Sequence, residues 1–484
     1  MKKGDGMNTN LSTFADLYQF TMMYGYYKTG KMDDEVAFDL FFRKNPFHNG
    51  YTIAAGLETV IQYIQNLSFT ESDIEYLKST ELFHDECFFD YLKNLKFTGD
   101  FYAVPEGTIV FPNEPIIKVK TRLFEAQFIE TALLTQIGHQ SLITTKANRM
   151  VRVAKGKPIL EFGARRAQGV ESAVLGSRAA IIGGCSSTSN VKAGKDYDLM
   201  ISGTHAHSWI MSFESELEAF QSYAEAFPDQ LILLVDTYDT LKSGLPNAIK
   251  VFRETRKKYG ELRKYGIRLD SGDLAYLSKK AREMLDEAGF QDAMIVASND
   301  LDEYTIRELE SQEAKIDAYG VGTKLITAFD QPALGCVYKL AAEKINDEWI
   351  PKIKRSENPE KITNPGLKKV VRFIDEKNGE ALVDLIMLEN EKVPDQPFEV
   401  FDPIHTWKRK KVQHCISIEL LHPIFKKGEL VYESPSIKEI VDSVKRNLNC
   451  FSKEHKRFSK PHVYHVDLSQ NLWDMKMKLL DELD

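Results

Sequence analysis

The chain has 484 residues, more than a single hydrophobic core usually organises, so we expect two or three domains. Hydrophobic residues make up 43% and charged residues 28% of the sequence, which fits a globular protein, and no window is apolar for long enough to cross a membrane. The formal net charge of −8 argues against general nucleic-acid binding, because such proteins usually carry a basic excess.

Three further features bear on the compartment and the partners. The five cysteines are odd in number and include no CxxC pair, so neither a disulfide framework nor a thiolate zinc site is predicted. The N-terminal stretch MKKGDGMNTNLSTF lacks the apolar segment of an export signal, so we expect a soluble, cytoplasmic protein with no membrane partner. The basic run HTWKRKKVQH at 405–414 is interpreted as a solvated strand face and not as a nucleic-acid site.

The first third of the chain predicts a helix and then a group of strands. Residues 10–30 have the pattern of an amphipathic helix that ends at Gly30. Alternation of apolar and polar residues, interrupted by Pro and Gly turns, predicts antiparallel strands over 97–122.

The middle of the chain, about residues 157–330, repeats a short apolar run, a polar corner and a segment with helical spacing. The six runs begin at KPILEFG, YDLMISGTH, QLILLVD, YGIRLD, AMIVAS and IDAYGVG. Helix signals between them include the spacing over 214–227, Pro246 at a helix start and Gly289 at a helix end. Strands that alternate with helices predict right-handed βαβ units and a parallel sheet, either a barrel or an open doubly wound sheet.

Strand-like runs resume after residue 335. The Pro-rich stretch EKVPDQPFEVFDP then predicts a boundary before a last segment of strands and a final helix.

Polar residues follow the predicted strands of the middle part, where the chain turns into the next helix. In a parallel α/β barrel these strand ends open on one face, where catalytic groups gather. The sequence therefore predicts a ring of functional side chains formed by Arg165, Thr204, His205, His207, Asp236, Thr237, Arg268, Asp270, Asp273, Ser298, Asn299, Asp300, Gly322, Thr323 and Lys324.

Two of these corners indicate a phosphorylated sugar as the ligand. RLDSGDL supplies Asp270 and Asp273, whose carboxylates can accept a sugar's hydroxyls, stabilise a developing positive charge or hold Mg²⁺. GVGTKL supplies Gly322 and Thr323, which let a phosphate approach the backbone at a helix start. Both strings also have plain structural interpretations, DSGD as a helix cap and GVGT as a tight turn.

SGTHAHSW places His205 and His207 two positions apart, and three interpretations stay open. On a strand both imidazoles would lie on one face and could chelate a metal ion, but no histidine follows before His405 to complete a zinc site. Either residue could be a buried structural histidine. An imidazole beside a phosphate-binding ring could also accept a phosphoryl group and so link a nucleoside triphosphate to a second reaction.

Five motifs, DLYQFTM, EFGARRAQG, SGTHAHSW, RLDSGDL and YGVGTKL, resemble in this order those of the nicotinate phosphoribosyltransferases over about residues 13–340. The resemblance implies the first step of NAD salvage from nicotinate, in which nicotinate and 5-phosphoribosyl 1-diphosphate give nicotinate mononucleotide and diphosphate. It further implies assistance by Mg²⁺ and coupling to ATP hydrolysis through a phosphohistidine, which by motif match is His207.

The resemblance also implies roles for individual residues. Tyr18, contributed by the partner subunit of a homodimer, and Phe162 would sandwich the pyridine ring, with Arg165 near its carboxylate. Either aromatic side chain could instead be a core residue. The phosphosugar would be held by Arg268, Asp270 and Asp273 at the ribose, reacting end and diphosphate, and by Gly322, Thr323 and Thr204 at the 5-phosphate.

The implied fold class is α/β, in the type II phosphoribosyltransferase arrangement. This arrangement is an irregular α/β barrel with an open-faced α/β sandwich domain built from both ends of the chain, here followed by a C-terminal extension. Residues 1–135 and 336–400 would form the sandwich, 136–335 the barrel and 401–484 a C-terminal domain. The catalytic site would lie at the subunit interface of the homodimer.

Three other functions stay open at this point. A nicotinamide phosphoribosyltransferase would share the fold, but chains of that type resemble GTDT where this one has GTHA, so His205 replaces a carboxylate that would repel nicotinate. A metal-dependent barrel hydrolase would require further histidine ligands. A non-catalytic phosphosugar-binding protein would keep the phosphate corner without any need of His207.

Overall fold

The computed structural model describes residues 10–358 and 361–482. Residues 1–9, which carry most of the N-terminal stretch judged for an export signal, lie outside these ranges. The chain divides into two compact units: unit 1 is made of Met1–Leu142 with Ala333–Asp484, and unit 2 of Ile143–Pro332. No helix within the described ranges combines the length and the apolar character needed to cross a membrane. The domain boundaries drawn from the sequence stay a prediction.

The elements follow one another in three parts. The N-terminal part contains α1 (Leu17–Thr29), β1 (Glu35–Phe42), β2 (Thr52–Ile53), α2 (Leu57–Asn66), α3 (Glu71–Ser79), α4 (Glu86–Lys93), β3 (Asp100–Ala103), β4 (Ile109–Val110), β5 (Ile117–Arg122), α5 (Leu123–Phe128) and α6 (Glu130–Val153). The middle part contains β6 (Ile159–Glu161), α7 (Val170–Ile182), β7 (Ser187–Thr188), α8 (Val191–Tyr197), α9 (His207–Met211), α10 (Glu216–Ala226), β8 (Gln230–Leu234), α11 (Leu245–Tyr259), β9 (Lys264–Leu269), α12 (Leu274–Glu287), β10 (Met294–Ala297), α13 (Glu303–Ser311), β11 (Ala318–Val321) and α14 (Thr323–Ile326). The C-terminal part contains β12 (Cys336–Ile345), β13 (Glu348–Pro351), β14 (Lys368–Asp375), β15 (Ala381–Leu388), β16 (Phe398–Phe401), β17 (Arg409–Val412), β18 (Cys415–Glu419), β19 (His422–Lys426), β20 (Glu429–Leu430), α15 (Ile437–Asn449), β21 (Val466–Leu468) and α16 (Gln470–Asp481).

The helix predicted near the N-terminus is confirmed as α1. A capping box closes its first turn, in which the backbone N–H of Asp16 donates to Oε1 of Gln19 at 2.9 Å. Gly30 follows the last turn with a φ of 71°, a left-handed conformation that glycine adopts without a steric penalty. The buried side chains of Phe20 and Met23 hold the helix against unit 1.

The main sheet of unit 1 has seven strands in the order β13-β12-β1-β5-β3-β19-β20, and every neighbouring pair is antiparallel. The pairing of β3 with β5 confirms the antiparallel strands predicted over 97–122. Because β1, β3 and β5 lie among strands that follow residue 335, the predicted sandwich built from both ends of the chain is also confirmed.

A second sheet of unit 1 has four strands in the order β18-β14-β15-β21. Alternate residues of its central strands, Val371 and Phe373 in β14 and Val383 and Leu385 in β15, point to one face and share a hydrophobic cluster. Strand β21 pairs with β15, and β19 pairs with β3 in the main sheet. The segment after residue 401 therefore supplies strands to both sheets of unit 1.

Unit 2 is built on a parallel sheet of six strands in the order β7-β6-β11-β10-β9-β8. The order is open, with β7 and β8 at its ends, so the predicted α/β barrel takes the form of a half-barrel. Helices α10, α11 and α12 cover strands β8, β9 and β10 through one cluster that includes Phe220, Phe252, Ile267, Leu285 and Ile295. The α/β class predicted from the sequence is confirmed.

Five of the six apolar runs of the middle part form strands, and one does not. The run YDLMIS was predicted as a strand, but only Ile201 makes a single parallel bridge, to Thr188. Met200 and Ile201 are 72% and 53% exposed, so this run has no buried face to hold it in a sheet. The sixth strand is instead the two-residue β7, whose sequence contains no apolar run that would predict a strand.

A buried ion pair joins the two central strands of the small sheet. The Nε of Arg372 donates to Oδ1 of Asp384 at 2.8 Å, the Tyr464 hydroxyl donates to the same oxygen at 2.9 Å, and Arg372 also donates to the Ile109 carbonyl at 2.7 Å. Burial, together with the neighbouring charge of Asp384, raises the pKa of Glu114 well above its ordinary value. The surroundings of the Glu114 carboxyl therefore favour its neutral form over its charged form.

Replacing Glu114 by Gln is expected to change the melting temperature least at acidic pH, since a neutral amide there takes the place of a neutral acid. A carboxyl whose pKa rises on folding stabilises the native state below its unfolded pKa of about 4.3, and this stabilisation is lost as the pH rises through the folded pKa. As the pH rises from about 5 to about 9, the melting temperature of E114Q should thus fall less steeply than that of the wild type. Parallel slopes, or a slope change of equal size in the exposed control E433Q, would contradict this assignment.

Candidate active site

Polar residues gather at the carboxyl ends of the parallel strands of unit 2, as predicted. Parallel neighbours run in the same direction, so these strand ends share one edge of the sheet. The residues at or just beyond these ends are Phe162 after β6, Asp236 and Thr237 after β8, Arg268 and Asp270 at β9, Ser298 after β10 and Gly322 after β11. The edge is therefore where a site can be assembled.

Arg268 connects three of the corners. Its Nε donates to the Ser298 hydroxyl at 2.8 Å, and its two terminal nitrogens donate to the Thr204 hydroxyl at 3.1 Å and to Oδ1 of Asp270 at 2.9 Å. Each nitrogen has a separate partner, so the planar guanidinium has one preferred orientation. Predicted residues from three separate motifs thus meet around one side chain.

Asp270 is an ionised carboxylate with one oxygen engaged and one available. Burial alone would raise the pKa of Asp270, but the hydrogen bond from Ser298 and the charge of Arg268 outweigh it and lower the pKa. Both of these groups contact Oδ1. Within the described part of the chain, Oδ2 accepts no hydrogen bond, and Nε2 of His207 lies 3.7 Å from it.

Asp236 fixes the position of this carboxylate. Its Oδ2 accepts the backbone N–H of Asp270 and the hydroxyl of Ser271, both at 2.7 Å. Its Oδ1 is buried and has no hydrogen-bond partner among the described residues. The corner after β8 therefore holds the turn after β9 in place.

His207 is the first residue of α9, and its side chain is 40% exposed. Its Nδ1 lies 3.0 Å from the Thr237 hydroxyl and its Nε2 lies 3.7 Å from Asp270. The structure thus brings His207 and Asp270 together, two residues that the sequence had placed in the same ring. Thr237 was a member of that ring but carried no assigned role.

His205 lies in a different environment. Its side chain is buried, its Nε2 accepts the backbone N–H of Leu234 at 3.3 Å, and its ring packs edge-on against Tyr223. Burial lowers the pKa of His205 to about 4, so the imidazole is neutral at physiological pH. The assumption that a strand places His205 and His207 on one face is wrong, because no strand forms here. Direct contact of His205 with a substrate stays a prediction.

Phe162 occupies a space that only glycine permits on the neighbouring strand. A Cβ on Gly320 would lie 2.7 Å from two atoms of the Phe162 ring, far inside contact distance. The Arg268 guanidinium lies 5.9 Å from the centre of the same ring. Arg165 follows on an exposed 3₁₀ turn.

The turn that carries Phe162 is held by the buried carboxylate of Glu161, which the sequence motifs did not identify as a site residue. Glu161 accepts hydrogen bonds from the Ser177 hydroxyl at 2.9 Å, the Thr188 hydroxyl at 2.6 Å and the backbone N–H of Gly163. A charged residue at the end of an otherwise apolar strand was the available signal, since such a group is buried only when hydrogen bonds satisfy it.

The remaining motif residues have ordinary structural partners. Asp273 caps α12 by accepting the Tyr276 backbone N–H at 3.0 Å, which agrees with the plain interpretation of DSGD. Gly322 and Thr323 lie at the start of the four-residue α14. Lys324 forms an ion pair with Asp302 at 2.7 Å. The substrate contacts assigned to Asp273, Gly322 and Thr323 stay predictions.

Tyr18 belongs to unit 1, on α1. Its side chain is 44% exposed, and burial of the remainder, together with the neighbouring carboxylate of Glu130, raises the pKa of Tyr18 to about 12. The phenol is therefore neutral, and it offers a partly open aromatic face. Its predicted place in the site of a partner subunit stays a prediction.

Unit 1 also contains a cavity of about 290 Å³. Lys368 on its wall pairs with Asp39 at 2.8 Å, and Lys476 donates to the amide oxygen of Asn364 at 2.9 Å. Burial and the neighbouring charge of Lys368 lower the pKa of Lys476 to about 8. The wall of this cavity is thus rich in cations, a feature that no sequence motif had indicated.

No group of three or more His, Cys, Asp or Glu side chains in the described ranges is arranged to hold a metal ion. A resident zinc centre would need such a group. A magnesium ion that arrives with phosphates does not, because it commonly uses only one or two protein carboxylates. The available oxygen of Asp270 is of the kind such an ion uses.

In a pH titration followed by NMR of ¹³C-labelled histidine, the resonance of His205 is expected to titrate near pH 4. A folded pKa below the unfolded value of about 6.5 means that the native state is favoured above that pH and loses stability as the pH falls toward 4. The variant H205Q assigns the resonance and should be less sensitive to acid than the wild type. A His205 resonance that titrates above pH 6 would show that the ring is not buried as described.

Three family models match the chain in succession. They describe the nicotinate phosphoribosyltransferase N-terminal domain at residues 13–138, the nicotinate phosphoribosyltransferase family at 158–383 and the nicotinate phosphoribosyltransferase C-terminal domain at 367–476. Together they cover most of the sequence.

Curated relatives and a solved structure agree with these matches. The chain is 50% identical over 475 residues to the nicotinate phosphoribosyltransferase of Bacillus subtilis, with 98% of this chain and 96% of that protein covered. It is 37% identical to the enzyme of that name from Caenorhabditis elegans, with 95% and 91% covered. The crystal structure of human nicotinic acid phosphoribosyltransferase superposes with a TM-score of 0.84 at 29% identity, covering 96% of this chain and 99% of that one. The chain belongs to the nicotinate phosphoribosyltransferase family.

Proposed function

We propose that this chain is an enzyme that joins nicotinate to 5-phosphoribosyl 1-diphosphate, giving nicotinate mononucleotide and diphosphate, and that it couples this reaction to ATP hydrolysis through a phosphohistidine at His207. The observation that carries the proposal is the placing of His207 within 3.7 Å of Asp270, itself held by Arg268, at the open edge of the half-barrel. A cytoplasmic place in the salvage of nicotinate to NAD is part of the same proposal.

Asp270 would act at the reacting end of the phosphosugar. Departure of diphosphate leaves positive charge on the ribose ring, and an ionised carboxylate stabilises that charge. The lowered pKa of Asp270 keeps it ionised at neutral pH. Arg268 would orient Asp270 and contact the ribose, while Asp273 would reach toward the diphosphate.

Phe162 would offer one face to the pyridine ring. Its ring is fixed by close contact with the Gly320 position, so a flat base can stack on it without a loss of side-chain freedom. Tyr18 from the partner subunit of a homodimer would complete the sandwich. Arg165, exposed on its 3₁₀ turn, has the charge and the freedom to meet the nicotinate carboxylate.

The 5-phosphate end of the phosphosugar would lie at the turn after β11. Gly322 and Thr323 at the start of α14 would receive the 5-phosphate together with the Thr204 hydroxyl. The Thr204 hydroxyl accepts from Arg268 at 3.1 Å and donates to the His205 carbonyl at 3.3 Å, so it would turn its proton from that carbonyl to a phosphate oxygen.

His205 supports a base with a carboxylate over one with an amide. Because its imidazole is neutral and turned toward Leu234, it adds no charge of either sign to the edge of the sheet. A carboxylate at this position would repel nicotinate, and that repulsion is missing here. Phosphoribosyl transfer to nicotinamide is therefore expected to be slower than transfer to nicotinate.

The residues around Asp270 and His207 have the chemistry needed to bind Mg²⁺ and ATP. The Oδ2 atom of Asp270, which lies 3.7 Å from Nε2 of His207, would bind Mg²⁺ together with substrate phosphates, with Asp273 as a second carboxylate. When bound, the ion would neutralise phosphate charge and favour departure of diphosphate. His207 would receive the γ-phosphoryl group of ATP.

The direct test is formation of mononucleotide from phosphoribosyl diphosphate and Mg²⁺ with either nicotinate or nicotinamide, each with and without ATP. Nicotinate should react faster than nicotinamide, and ATP should raise its rate. A preference for nicotinamide would assign the sister activity. No product from either base would leave a phosphosugar-binding protein.

The variant H207A is expected to lose ATP hydrolysis and the phosphoenzyme, because the imidazole is the phosphoryl acceptor. Any residual transfer to nicotinate should be insensitive to ATP. The exposed His84 provides a matched control, and H84A should behave as the wild type in both assays. An undiminished ATP-coupled rate in H207A, measured on protein with a normal melting temperature, would refute the phosphohistidine assignment.

A further inference from the structure

We propose that Thr237 is the positioning residue for His207: it engages Nδ1 and leaves Nε2 as the nitrogen that accepts the phosphoryl group. This inference rests on the proposed function, since it concerns how the phosphohistidine forms. None of the sequence motifs assigned a role to Thr237.

The turn after β8 contacts both His207 and Asp270. Thr237 follows Asp236 directly, and the two neighbours act on two different parts of the site. Asp236 holds the backbone of Asp270, whereas the Thr237 hydroxyl lies 3.0 Å from Nδ1 of His207. A single corner thus sets the distance between the imidazole and the carboxylate.

The ring contacts of His207 leave one nitrogen available. Nδ1 is occupied by Thr237 at hydrogen-bond distance, while Nε2 is only within ionic range of Asp270, at 3.7 Å. The side chain is also 40% exposed, so Nε2 is the nitrogen that an incoming phosphate can reach. A ring rotated by 180° about the Cβ–Cγ bond would place Cδ2 where Nδ1 now lies and so lose the hydrogen bond with Thr237.

A hydroxyl suits this position because it can donate or accept. When Nε2 carries a proton beside the ionised Asp270, the Thr237 hydroxyl can donate to Nδ1. When Nδ1 carries the proton, Thr237 accepts it in a hydrogen bond and Nε2 has a free lone pair. Only the second tautomer is a nucleophile at Nε2.

The step then balances without a proton transfer. The lone pair of Nε2 forms a bond to the γ-phosphorus of a nucleoside triphosphate as the bond from that phosphorus to the β,γ-bridging oxygen breaks. The bonding electrons leave with the nucleoside diphosphate. The proton on Nδ1 stays on the ring and remains hydrogen-bonded to Thr237.

The test compares T237V, which keeps the shape but has no hydroxyl, with T237S, which keeps the hydroxyl. Phosphoenzyme formation from γ-labelled ATP should slow by about tenfold or more in T237V and stay within roughly threefold of the wild type in T237S. The matched control is T255V, which removes a threonine hydroxyl that is buried away from the site and donates to the Val251 carbonyl at 2.8 Å. T255V should phosphorylate at the wild-type rate.

A second readout reports the position of the phosphoryl group. NMR of ¹⁵N-labelled, phosphorylated protein should show substitution at Nε2 in the wild type and in T237S. In T237V the ring is released, so the Nε2 isomer should no longer be the sole product. A defect of folding alone would lower the yield without changing which nitrogen is substituted.

The outcomes separate this inference from the function on which it rests. If the wild type forms no phosphoenzyme, both fail. If the wild type is phosphorylated on His207 and T237V reacts equally fast with the same isomer, the role of Thr237 is refuted and the proposed function stands. Substitution at Nδ1 in the wild type would likewise overturn the inference alone.

Discussion

The hydrogen bonds of Arg268 are the constraint on which the rest of the candidate site depends. One guanidinium binds Ser298, Thr204 and Asp270, which come from three different segments of unit 2. A planar group with three separate partners cannot shift toward one without loosening another. Asp270 is thus held ionised in one orientation, a form of preorganisation that would lower the reorganisation required in the proposed reaction.

The two histidines of one short motif show how burial divides chemistry between identical groups. His207 is half-exposed and has a hydroxyl and a carboxylate near its two ring nitrogens. His205 is buried against Tyr223, where the low dielectric keeps its ring neutral. The first can take part in chemistry, while the second packs the loop against β8.

Local patterns predicted what depends on local structure. Strands β6, β8, β9, β10 and β11 follow from their apolar runs, and the meeting of Asp270 with Ser298 follows from the shared direction of the parallel strands β9 and β10. Other features depend on distant partners or rotamers. Lys426 and Asp100 form a hydrogen bond although they are 326 positions apart in the sequence. The apolar run at Ile201 resembles a strand but lies exposed, because no second layer within the described residues covers it. The hydrogen bond between Thr237 and Nδ1 of His207 requires one rotamer of each side chain.

The order of the chain in unit 1 has a consequence during synthesis. Unit 2 is continuous from Ile143 to Pro332, so all of its strands have been synthesised before the last third of the chain is made. The main sheet of unit 1 must wait for β19, and the small sheet for β21. Until then the edge of β3 stays unpaired on the ribosome, and a chain that stops early would present that edge to its neighbours.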